Sequence, residues 1–429
     1  MEILFNTSNL TFREEYDEFD EFIQRKNSLK DLKVDEIRDL FDLISKYMSS
    51  KDSGIKDTLI ENELGFIIFW LKKSNINKML NINFEDYSYL DNPKLSLKDD
   101  TVIYARPLGN AVHWIAGNVP VLGIISLFQT LITKNKSVVK VPNSFKNVLP
   151  DILKDLKDSN FFQGKSKDHL DILLDSIFVI YIDRDDKESQ IILSKYADIR
   201  IAWGGSEAME NIAELPKRIN TRDIIFGPKL SLSYISKDSI NKRSELEELC
   251  QKITDDVFAF NQAGCNAPHN IILEKGFKYS LDDFSTALGI QFANRAKRSK
   301  QEINPMLGFN LLIKKFIYQS NPSNNVYEGE DNQWNIFTSS KIDELESPLF
   351  SRNVFVSEIE SINSLGKLLP TNVQSIGLKV HENDKLNVIK ALSDYGVDRF
   401  PEIGKMSIYN HPWDGYLPLQ QTIKWISTN

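Results

Sequence analysis

The spacing of hydrophobic residues along the chain changes near residue 100. Before that point, apolar residues recur at helical intervals, most clearly over 32–47 and 60–71. After it, short runs of β-branched and aromatic residues alternate with amphipathic segments. Apolar residues at i, i+3 and i+4 indicate helices, and short apolar runs bounded by turn residues indicate strands. The pattern therefore predicts a helical segment at 1–85, followed by alternating strands and helices.

The alternating part divides into two α/β units. Alternation of this kind predicts parallel sheets with helices on both faces. In the first unit, strands are predicted at 102–105, 113–116, 137–141, 177–182 and 199–203, and helices at 121–132, 149–156 and 188–195. In the second unit, strands are predicted at 230–235, 270–273, 354–356 and 376–380, and helices at 281–300 and 386–395. The predicted domains are 86–228, to which 400–429 return, and 229–399.

Two polar stretches interrupt this pattern. Residues 87–100 contain Pro93 and several Asp, and they predict a linker. Residues 321–335, rich in Asn and Glu, predict a surface loop or hairpin.

Composition narrows the class of protein. The 429 residues are 41% hydrophobic and 26% charged with a net charge of −8, which is typical of a soluble globular protein that has no general attraction to nucleic acid or anionic membranes. The acidic N-terminus does not resemble a signal peptide, and no apolar run reaches the roughly 18 residues of a membrane span. Two cysteines provide no disulfide framework. We expect a cytoplasmic protein without membrane insertion.

Cys265 is a candidate nucleophile. It lies among small and polar residues, in a predicted turn between an apolar helix and an apolar strand. Substrate could reach a thiol there, and neighbouring backbone N–H groups could hold it as thiolate. The alternative is that Cys265 is only a small turn residue. Cys250, by contrast, belongs to a helical stripe with Leu246, Leu249 and Ile253, which predicts core packing.

Polar residues and glycines follow several strands of the first unit, where ligands of parallel sheets bind. Asn118 lies between a strand and a helix, and its amide could stabilise an oxyanion or could simply cap the turn. The glycines Gly204 and Gly205, before Ser206, could place a pyrophosphate at a helix N-terminus or form a plain tight turn. Lys140 could reach a cofactor or could be a surface lysine.

Other chemistries find little support in the sequence. It contains no P-loop, no G-x-S-x-G elbow, no H-E-x-x-H motif and no Cys/His cluster spaced for a metal. The five histidines are scattered singly. Of these, only His269 lies close enough to Cys265 in sequence to be worth testing as a base.

Taken together, these residues resemble the aldehyde dehydrogenase superfamily, and more closely its acyl-reducing branch, the LuxC-type fatty acyl-CoA reductases. The similarity runs in order from about residue 104 to residue 427. Its blocks are 113–120 (HWIAGNVP), 133–140 (TKNKSVVK), 197–205 (ADIRIAWGG), 225–229 (IFGPK), the Cys265 turn and 413–415 (WDG).

The resemblance implies an α/β fold of the aldehyde dehydrogenase type, with a Rossmann-type cofactor domain and an α/β catalytic domain that carries the nucleophilic cysteine. Cys265 would attack an acyl thioester, and Asn118 with the backbone N–H of Cys265 would form the oxyanion hole. Lys140 would hold the adenosine ribose. The remaining implied cofactor-binding residues are Asn143, Gly204, Gly205, Ser206 and Gly227, and no metal is implied.

Two departures from the superfamily pattern bear on the reaction. Ile225 stands where hydrolytic aldehyde dehydrogenases have a glutamate base, which favours reduction of the thioester over its hydrolysis. Asn143 replaces the acidic residue that repels a 2′-phosphate, which favours NADPH, with NADH possible. The ribose-binding glutamate of the superfamily is matched only loosely, by Glu346.

These features predict an NADPH-dependent reductase that converts an acyl-CoA, or an acyl group delivered by a partner protein, into an aldehyde. The resemblance also implies an acyl-protein synthetase partner, and we expect a homo-oligomer. Two alternatives stay open: an NAD(P)-dependent semialdehyde dehydrogenase, and a non-redox acyl carrier or scaffold in which Cys265 only holds an acyl group.

Overall fold

The computed structural model describes residues 1–7, 15–96, 98 and 100–428. Part of the predicted N-terminal segment, residues 8–14, lies outside the described residues. The strands are β1 (Glu2–Phe5), β2 (Lys94–Leu95), β3 (Val102–Pro107), β4 (Asn110–Trp114), β5 (Lys136–Val141), β6 (Ile177–Tyr181), β7 (Ile199–Trp203), β8 (Arg222–Phe226), β9 (Leu230–Ile235), β10 (Pro268–Glu274), β11 (Asn324–Glu328), β12 (Asn335–Ser339), β13 (Asn353–Ile359), β14 (Val373–Lys379) and β15 (Ile423–Thr428).

Helices separate most of these strands. They are α1 (Glu15–Gln24), α2 (Val34–Ser49), α3 (Lys56–Glu61), α4 (Gly65–Trp70), α5 (Lys73–Asn83), α6 (Pro120–Ile132), α7 (Val148–Asp158), α8 (Lys165–Leu174), α9 (Lys187–Tyr196), α10 (Ser206–Glu214), α11 (Arg243–Phe258), α12 (Leu281–Ala296), α13 (Pro305–Gln319), α14 (Ile362–Gly366), α15 (Lys385–Ser393) and α16 (Pro418–Gln421). Among the described residues, no helix is both long enough and apolar enough to cross a membrane.

The first compact unit comprises Met1–Gly227 and Asn410–Asn429. Its main sheet has the order β1-β6-β5-β4-β7-β8, in which β4 to β8 are parallel and β1 is antiparallel to β6. A small antiparallel sheet, β15-β3-β2, brings the returning segment back to this unit. The carboxyl ends of β4, β5, β7 and β8 therefore meet at one edge of the main sheet.

The second unit comprises Pro228–Tyr409. Its sheet has the order β11-β12-β13-β10-β9-β14, and only β11 is antiparallel to its neighbour. Alternate residues of one strand enter different clusters: Val354 and Val356 pack with α11 and α12, whereas Phe355 packs with α13. Helices therefore cover both faces of this sheet, and the predicted α/β class is confirmed.

Three local predictions differ from the structure. The helix predicted at 60–71 is instead α3 and α4, because the chain turns at Glu63, whose φ of 55° ends the first helix. The linker predicted at 87–100 is wrong at its start, since Tyr87–Leu90 form a 3₁₀ turn with Tyr89 and Leu90 buried. Helix α13 was not predicted. The polar stretch at 321–335 does form the predicted hairpin, through β11 and β12.

Candidate active site

Cys265 lies in the turn that joins α11 to β10, as predicted. Its side chain is half-buried. The turn is fixed to the rest of the unit on both sides of the thiol: the Ser231 hydroxyl donates to the Cys265 carbonyl oxygen at 2.7 Å, and the Asn266 amide donates to the Met406 carbonyl oxygen at 3.0 Å. The thiol is therefore held on a backbone that is tied down locally.

The approach to Cys265 has an unusual backbone. Phe260, Asn261 and Gln262 all have left-handed φ values, of 49°, 49° and 66°. A non-glycine residue in that region costs roughly 1–2 kcal/mol. A second left-handed run, Phe350 to Arg352, precedes β13. The two runs meet where the Ser351 N–H donates to the Asn261 carbonyl oxygen at 3.1 Å.

Arg352 holds the first run in place. Only 1% of it is exposed. Its Nε and Nη2 both donate to Oδ1 of Asn261, at 3.0 and 2.6 Å, and its Nη1 donates to the Ser299 carbonyl oxygen at 2.6 Å. The guanidinium also lies 4.4 Å from the centre of the Phe258 ring, an arrangement that favours a cation.

Gln262 adds a second set of bonds to the same stretch. Its buried side-chain amide donates to the carbonyl oxygens of Pro268 and Asn353, at 2.9 and 3.0 Å, and accepts from the Asn353 N–H at 2.9 Å. The stretch before the cysteine is thus held by the Arg352 side chain and the Asn353 backbone, each 91 residues away in sequence from its partner. No feature of the sequence indicates these contacts, and sequence reasoning missed Asn261, Gln262 and Arg352 as supports of the site.

The structure also places three other residues considered in the sequence analysis, His269, Cys250 and Glu346. Burial lowers the pKa of His269 to about 4, and its ring meets Phe350 edge to face at 5.0 Å. His269 is therefore neutral near pH 7. Cys250 is fully buried, and burial raises the pKa of its thiol to about 12, which confirms its predicted place in the core. The carboxylate of Glu346 is bound by Lys314 and by the Tyr318 hydroxyl, both at 2.8 Å.

In the first unit, Asn118 lies in the exposed segment between β4 and α6. The preceding Gly117 lies so close to the next loop that a Cβ there would be 3.1 Å from Oγ of Ser144. Asn143, the neighbour of Ser144, is exposed at the end of β5. The structure thus brings the Asn118 and Asn143 loops together at the carboxyl edge of the sheet.

Lys140 lies on β5, between Trp114 of β4 and Ile180 of β6. It is half-buried, and burial lowers the pKa of its ammonium group, an effect that the nearby Asp183 carboxylate opposes. A lysine in the middle of a sheet, close to the carboxyl ends of its strands, can present its charge to a ligand bound at that edge.

The glycines after β7 lead into α10. The Gly204 N–H donates to the Phe226 carbonyl oxygen at 3.3 Å, and a Cβ on Gly204 would lie 2.9 Å from Cε of Met209. Gly205 is the N-cap of α10 and makes no side-chain cap, and the space where its Cβ would be is open. The first N–H groups of α10, starting at Ser206, have no side-chain cap from Gly205 and carry the positive end of the helix dipole.

This arrangement is compatible with a dinucleotide phosphate. Free N–H groups at a helix N-terminus bind phosphate. The only carboxylate in the first turn of α10, that of Glu207, is paired with Arg184. Gly227, at the end of the adjacent β8, also has open space where a Cβ would be. These residues could hold the pyrophosphate of a nicotinamide cofactor.

Ile225 precedes Phe226 on β8 and packs against the apolar cluster that contains Val112, Trp114 and Ala202. Phe226 itself stacks on Trp203, with ring centres 3.8 Å apart. Ile225 is therefore a partly buried residue at the edge of the core of the first unit.

Comparisons with known proteins identify the family of this chain. A family model described as Acyl-CoA reductase (LuxC) matches residues 29–425. A long-chain acyl-protein thioester reductase of Aliivibrio fischeri is 26% identical over 87% of this chain and 75% of its own length. Reductases with the same description from Vibrio harveyi (25% identical) and Photorhabdus luminescens (24%) are matched over 76% and 77% of this chain, and over 65% and 66% of their own length. The chain thus spans between 65% and 75% of the length of these relatives.

Solved structures confirm the fold. Lactaldehyde dehydrogenase of Escherichia coli superposes with a TM-score of 0.63 over 95% of this chain and 89% of its own, at 15% identity. Aldehyde dehydrogenase 21 of Physcomitrella patens gives a TM-score of 0.65 over 96% and 89%, at 10% identity. The predicted aldehyde dehydrogenase-like architecture is therefore confirmed.

Proposed function

The chain belongs to the LuxC acyl-CoA reductase family, and on that premise we propose that it reduces an acyl thioester to an aldehyde through an acyl group held on Cys265. The observation that carries the proposal is the Cys265 turn. A half-buried thiol follows a strained stretch of backbone, and buried side chains fix that stretch. Strain that the surrounding structure maintains is characteristic of functional sites.

In the first step, the Cys265 thiolate attacks the thioester carbonyl. The new C–S bond forms as the carbonyl oxygen becomes an oxyanion, and the collapse of this intermediate breaks the bond to the donor sulfur, which leaves as a thiolate while the acyl group stays on Cys265. Asn118 is proposed as a donor to the oxyanion, as is the backbone N–H of Cys265.

A reduced nicotinamide cofactor, when bound, supplies the hydride that takes the thioester carbonyl to the thiohemiacetal level. Lys140, Gly205 and Ser206 are the residues proposed to bind this cofactor, with Gly204, Asn143 and Gly227 beside them. The thiohemiacetal on Cys265 then expels the Cys265 thiolate as the carbonyl re-forms, which releases the aldehyde and regenerates the nucleophile. NADPH is the proposed form of the cofactor, because Asn143 brings no negative charge against a 2′-phosphate.

The proposed acyl donor is a long-chain acyl thioester, either an acyl-CoA or an acylated protein. The names of the relatives favour the protein-bound form, since they are described as acyl-protein thioester reductases. Ile225 supports reduction over hydrolysis, because an aliphatic side chain in an apolar cluster cannot activate water.

Intact-protein mass spectrometry would test the proposal. The chain is mixed with a series of acyl-CoAs and with an acylated carrier protein, with and without NADPH or NADH. We expect a mass gain of one acyl group that disappears, with release of aldehyde, when reduced cofactor is added. Cys265→Ala should abolish the adduct.

Cys250→Ala provides the matched control, because Cys250 is the other cysteine of the chain and is buried in the core. This variant should still form the adduct. An adduct that persists in Cys265→Ala would refute the mechanism. A Cys265 adduct that neither cofactor discharges would identify an acyl carrier, and oxidation of a semialdehyde without any adduct from thioesters would identify a dehydrogenase.

A further inference from the structure

Helix α11, which leads to the Cys265 turn, carries a buried carboxylate. Asp256 is only 1% exposed, and the buried residues beside it on α11 include Ile253, Val257 and Phe258. Burial raises the pKa of Asp256 to about 7, because a charge in the interior loses its contact with water. A carboxylate in such a place needs hydrogen-bond donors to compensate for that loss.

The donors are backbone N–H groups of a single short segment, residues 404–407, which we call the 404–407 loop. One oxygen of Asp256, Oδ2, accepts from the Gly404 N–H, and the other, Oδ1, accepts from the Met406 N–H at 2.9 Å. A hydrogen bond from the Ser407 backbone also favours the charged form. A carboxylate can accept several such bonds at once, so Asp256 fixes this loop to α11.

The shape of the 404–407 loop fits closely between α11 and the sheet. Gly404 has a φ of 91°, and a Cβ there would lie 2.9 Å from Cβ of Lys252, one turn before Asp256 on α11. Met406 is fully buried, and its sulfur lies 2.5 Å from where a Cβ on Gly377 of β14 would be. The loop is therefore held on both of its sides.

Met406 links this loop to the Cys265 turn. Its N–H is bound to Asp256, and its carbonyl oxygen accepts from the side-chain amide of Asn266 at 3.0 Å. The Oδ1 atom of Asn266 lies 2.6 Å from where a Cβ on Gly264 would be. The Asn266 side chain thus extends from the residue before Cys265 to the 404–407 loop.

We infer that Asp256 is a positioning residue for the Cys265 thiol, which it reaches through the 404–407 loop and Asn266. The inference rests on the proposed function, in which Cys265 is the nucleophile. A thiol reacts as thiolate, and N–H groups of a turn stabilise the thiolate only while the turn keeps its shape. Asp256 itself touches neither the thiol nor the acyl group.

The rate of alkylation of Cys265 by iodoacetamide would test this role in the full chain. The other thiol, Cys250, is fully buried, and burial raises its pKa to about 12, so the reagent reports on Cys265. Asp256→Asn keeps the size of the side chain but turns an amide N–H₂ group towards backbone donors. We expect the alkylation rate to fall about tenfold, because the thiolate loses support.

A double variant distinguishes positioning from a general loss of stability. Asn266→Ala breaks the last link to the turn and should also slow alkylation about tenfold. If Asp256 acts through Asn266, the double variant Asp256→Asn with Asn266→Ala should react within about twofold of the slower single variant. Two independent effects would instead multiply.

Gly404→Ala tests the same connection without a change to Asp256 or to the Cys265 turn. The added Cβ meets Lys252 and pushes the 404–407 loop away from α11. We expect the alkylation rate of this variant to fall about tenfold as well. If Asp256→Asn does not fold, the combination of Gly404→Ala with Asn266→Ala takes the place of the first double variant.

Two controls lie on the same helix. Asp255→Asn removes the same charge from the neighbouring, exposed position and should leave the alkylation rate within about twofold of the original. Cys250→Ala alters the core instead, and it should lower the melting temperature without changing the alkylation rate of Cys265.

The inference is overturned if Asp256→Asn, once folded, or Gly404→Ala alkylates within about twofold of the unmodified chain, or if the effects multiply in the double variant. In a chain that forms aldehyde, kcat should fall together with the alkylation rate while the KM for NADPH stays constant. Slower alkylation in a chain that reduces no thioester would support the positioning role and refute the proposed function, so the two failures are distinguishable.

Discussion

The backbone next to Cys265 adopts a conformation that its residues do not favour by themselves. Phe260, Asn261 and Gln262 are left-handed, and each costs roughly 1–2 kcal/mol. Hydrogen bonds to a charged group contribute about 1.5–3 kcal/mol each, so the bonds between Arg352 and Asn261 are of the right size to offset much of this cost. At the scale of single residues, the position of the thiol therefore depends on a guanidinium that is remote in sequence.

Arg352→Lys should slow the alkylation of Cys265 by iodoacetamide and lower the kcat of aldehyde formation, both by about tenfold or more. A lysine has a single nitrogen and cannot reach Asn261 and Ser299 together, so the left-handed run loses its support. Affinity for the cofactor should not change, because the residues proposed to bind it, Lys140 and Gly205, belong to the first unit.

Arg200→Lys is the control for this experiment, since Arg200 is a fully buried arginine of the first unit that binds Asp223. It should lower stability without altering the alkylation rate. If Arg352→Lys lowers only the melting temperature and leaves the reactivity of Cys265 unchanged, then Arg352 supports the fold and not the thiol.

Replacement of Asn261 separates two opposite contributions to the free energy of unfolding. These are the bonds from Arg352 to the Asn261 side chain and the cost of the left-handed backbone at this residue. Asn261→Ala loses the bonds to Arg352 and keeps the left-handed penalty, whereas Asn261→Gly loses the bonds but removes that penalty. We expect the glycine variant to unfold with a free energy about 1 kcal/mol higher than that of the alanine variant. Equal stabilities in urea titrations would show that residue 261 is not strained.

At the scale of helices and strands, much of the fold follows from the sequence. The strand 230–235 was predicted at its exact bounds, because glycine and proline precede a run of apolar and hydroxyl residues. The carboxyl-edge position of Lys140 and Gly204 was also predictable, because parallel strands end at a common edge. Helix α13 was missed because apolar side chains surround it and no polar face marks its period.

Most of the features that could not be predicted from the sequence depend on contacts between residues that are far apart in the chain. The support of Cys265 by Arg352 depends on the pairing of β10 with β13, which no local pattern specifies. The same holds for the buried Tyr89 and Leu90, whose polar neighbours suggested a linker.

A substitution at the N-terminus of α10 should affect the stability of the first unit and the proposed binding of the cofactor in opposite directions. Gly205→Asp would provide the missing N-cap, since its Cβ has open space, and it should stabilise the first unit by about 0.3 kcal/mol or more. The same carboxylate would compete for the N–H groups and repel phosphate. We expect the Kd of NADPH, measured by fluorescence titration, to rise at least about tenfold.

Gly205→Ala is the control for that substitution, because it adds a Cβ without a charge. Its affinity for NADPH should stay within about twofold of the original. If the aspartate variant binds NADPH normally, the cofactor phosphate does not lie at α10.

At the scale of the whole molecule, buried histidines make stability depend on pH. His113 and His411 are buried in the first unit, and burial lowers the pKa of each to about 3. In the unfolded chain a histidine takes up a proton near pH 6.5. Below that pH the unfolded state binds more protons than the folded state, so the free energy of unfolding decreases as the pH falls.

Between pH 7 and pH 5, each of these histidines should lower the free energy of unfolding by about 2 kcal/mol. Urea unfolding at several pH values would measure this decrease. His411→Gln should remove the share of this decrease that His411 contributes. A pH dependence that is the same in His411→Gln as in the unmodified chain would mean that the fold does not keep the His411 imidazole neutral.

The first unit is built from two separate parts of the chain, and this has a consequence for synthesis on the ribosome. Residues 228–409 form a continuous stretch and can fold as soon as they emerge. Most of the first unit is synthesised earlier, but the unit is incomplete until residues 410–428 are made. These residues pair β15 with β3 and place His411 between Asn83 and Gln129. Until then β3 pairs only with the two-residue strand β2. The nascent chain therefore completes its first unit after the second unit, which carries Cys265, and during that interval an open strand edge is available to chaperones or to aggregation.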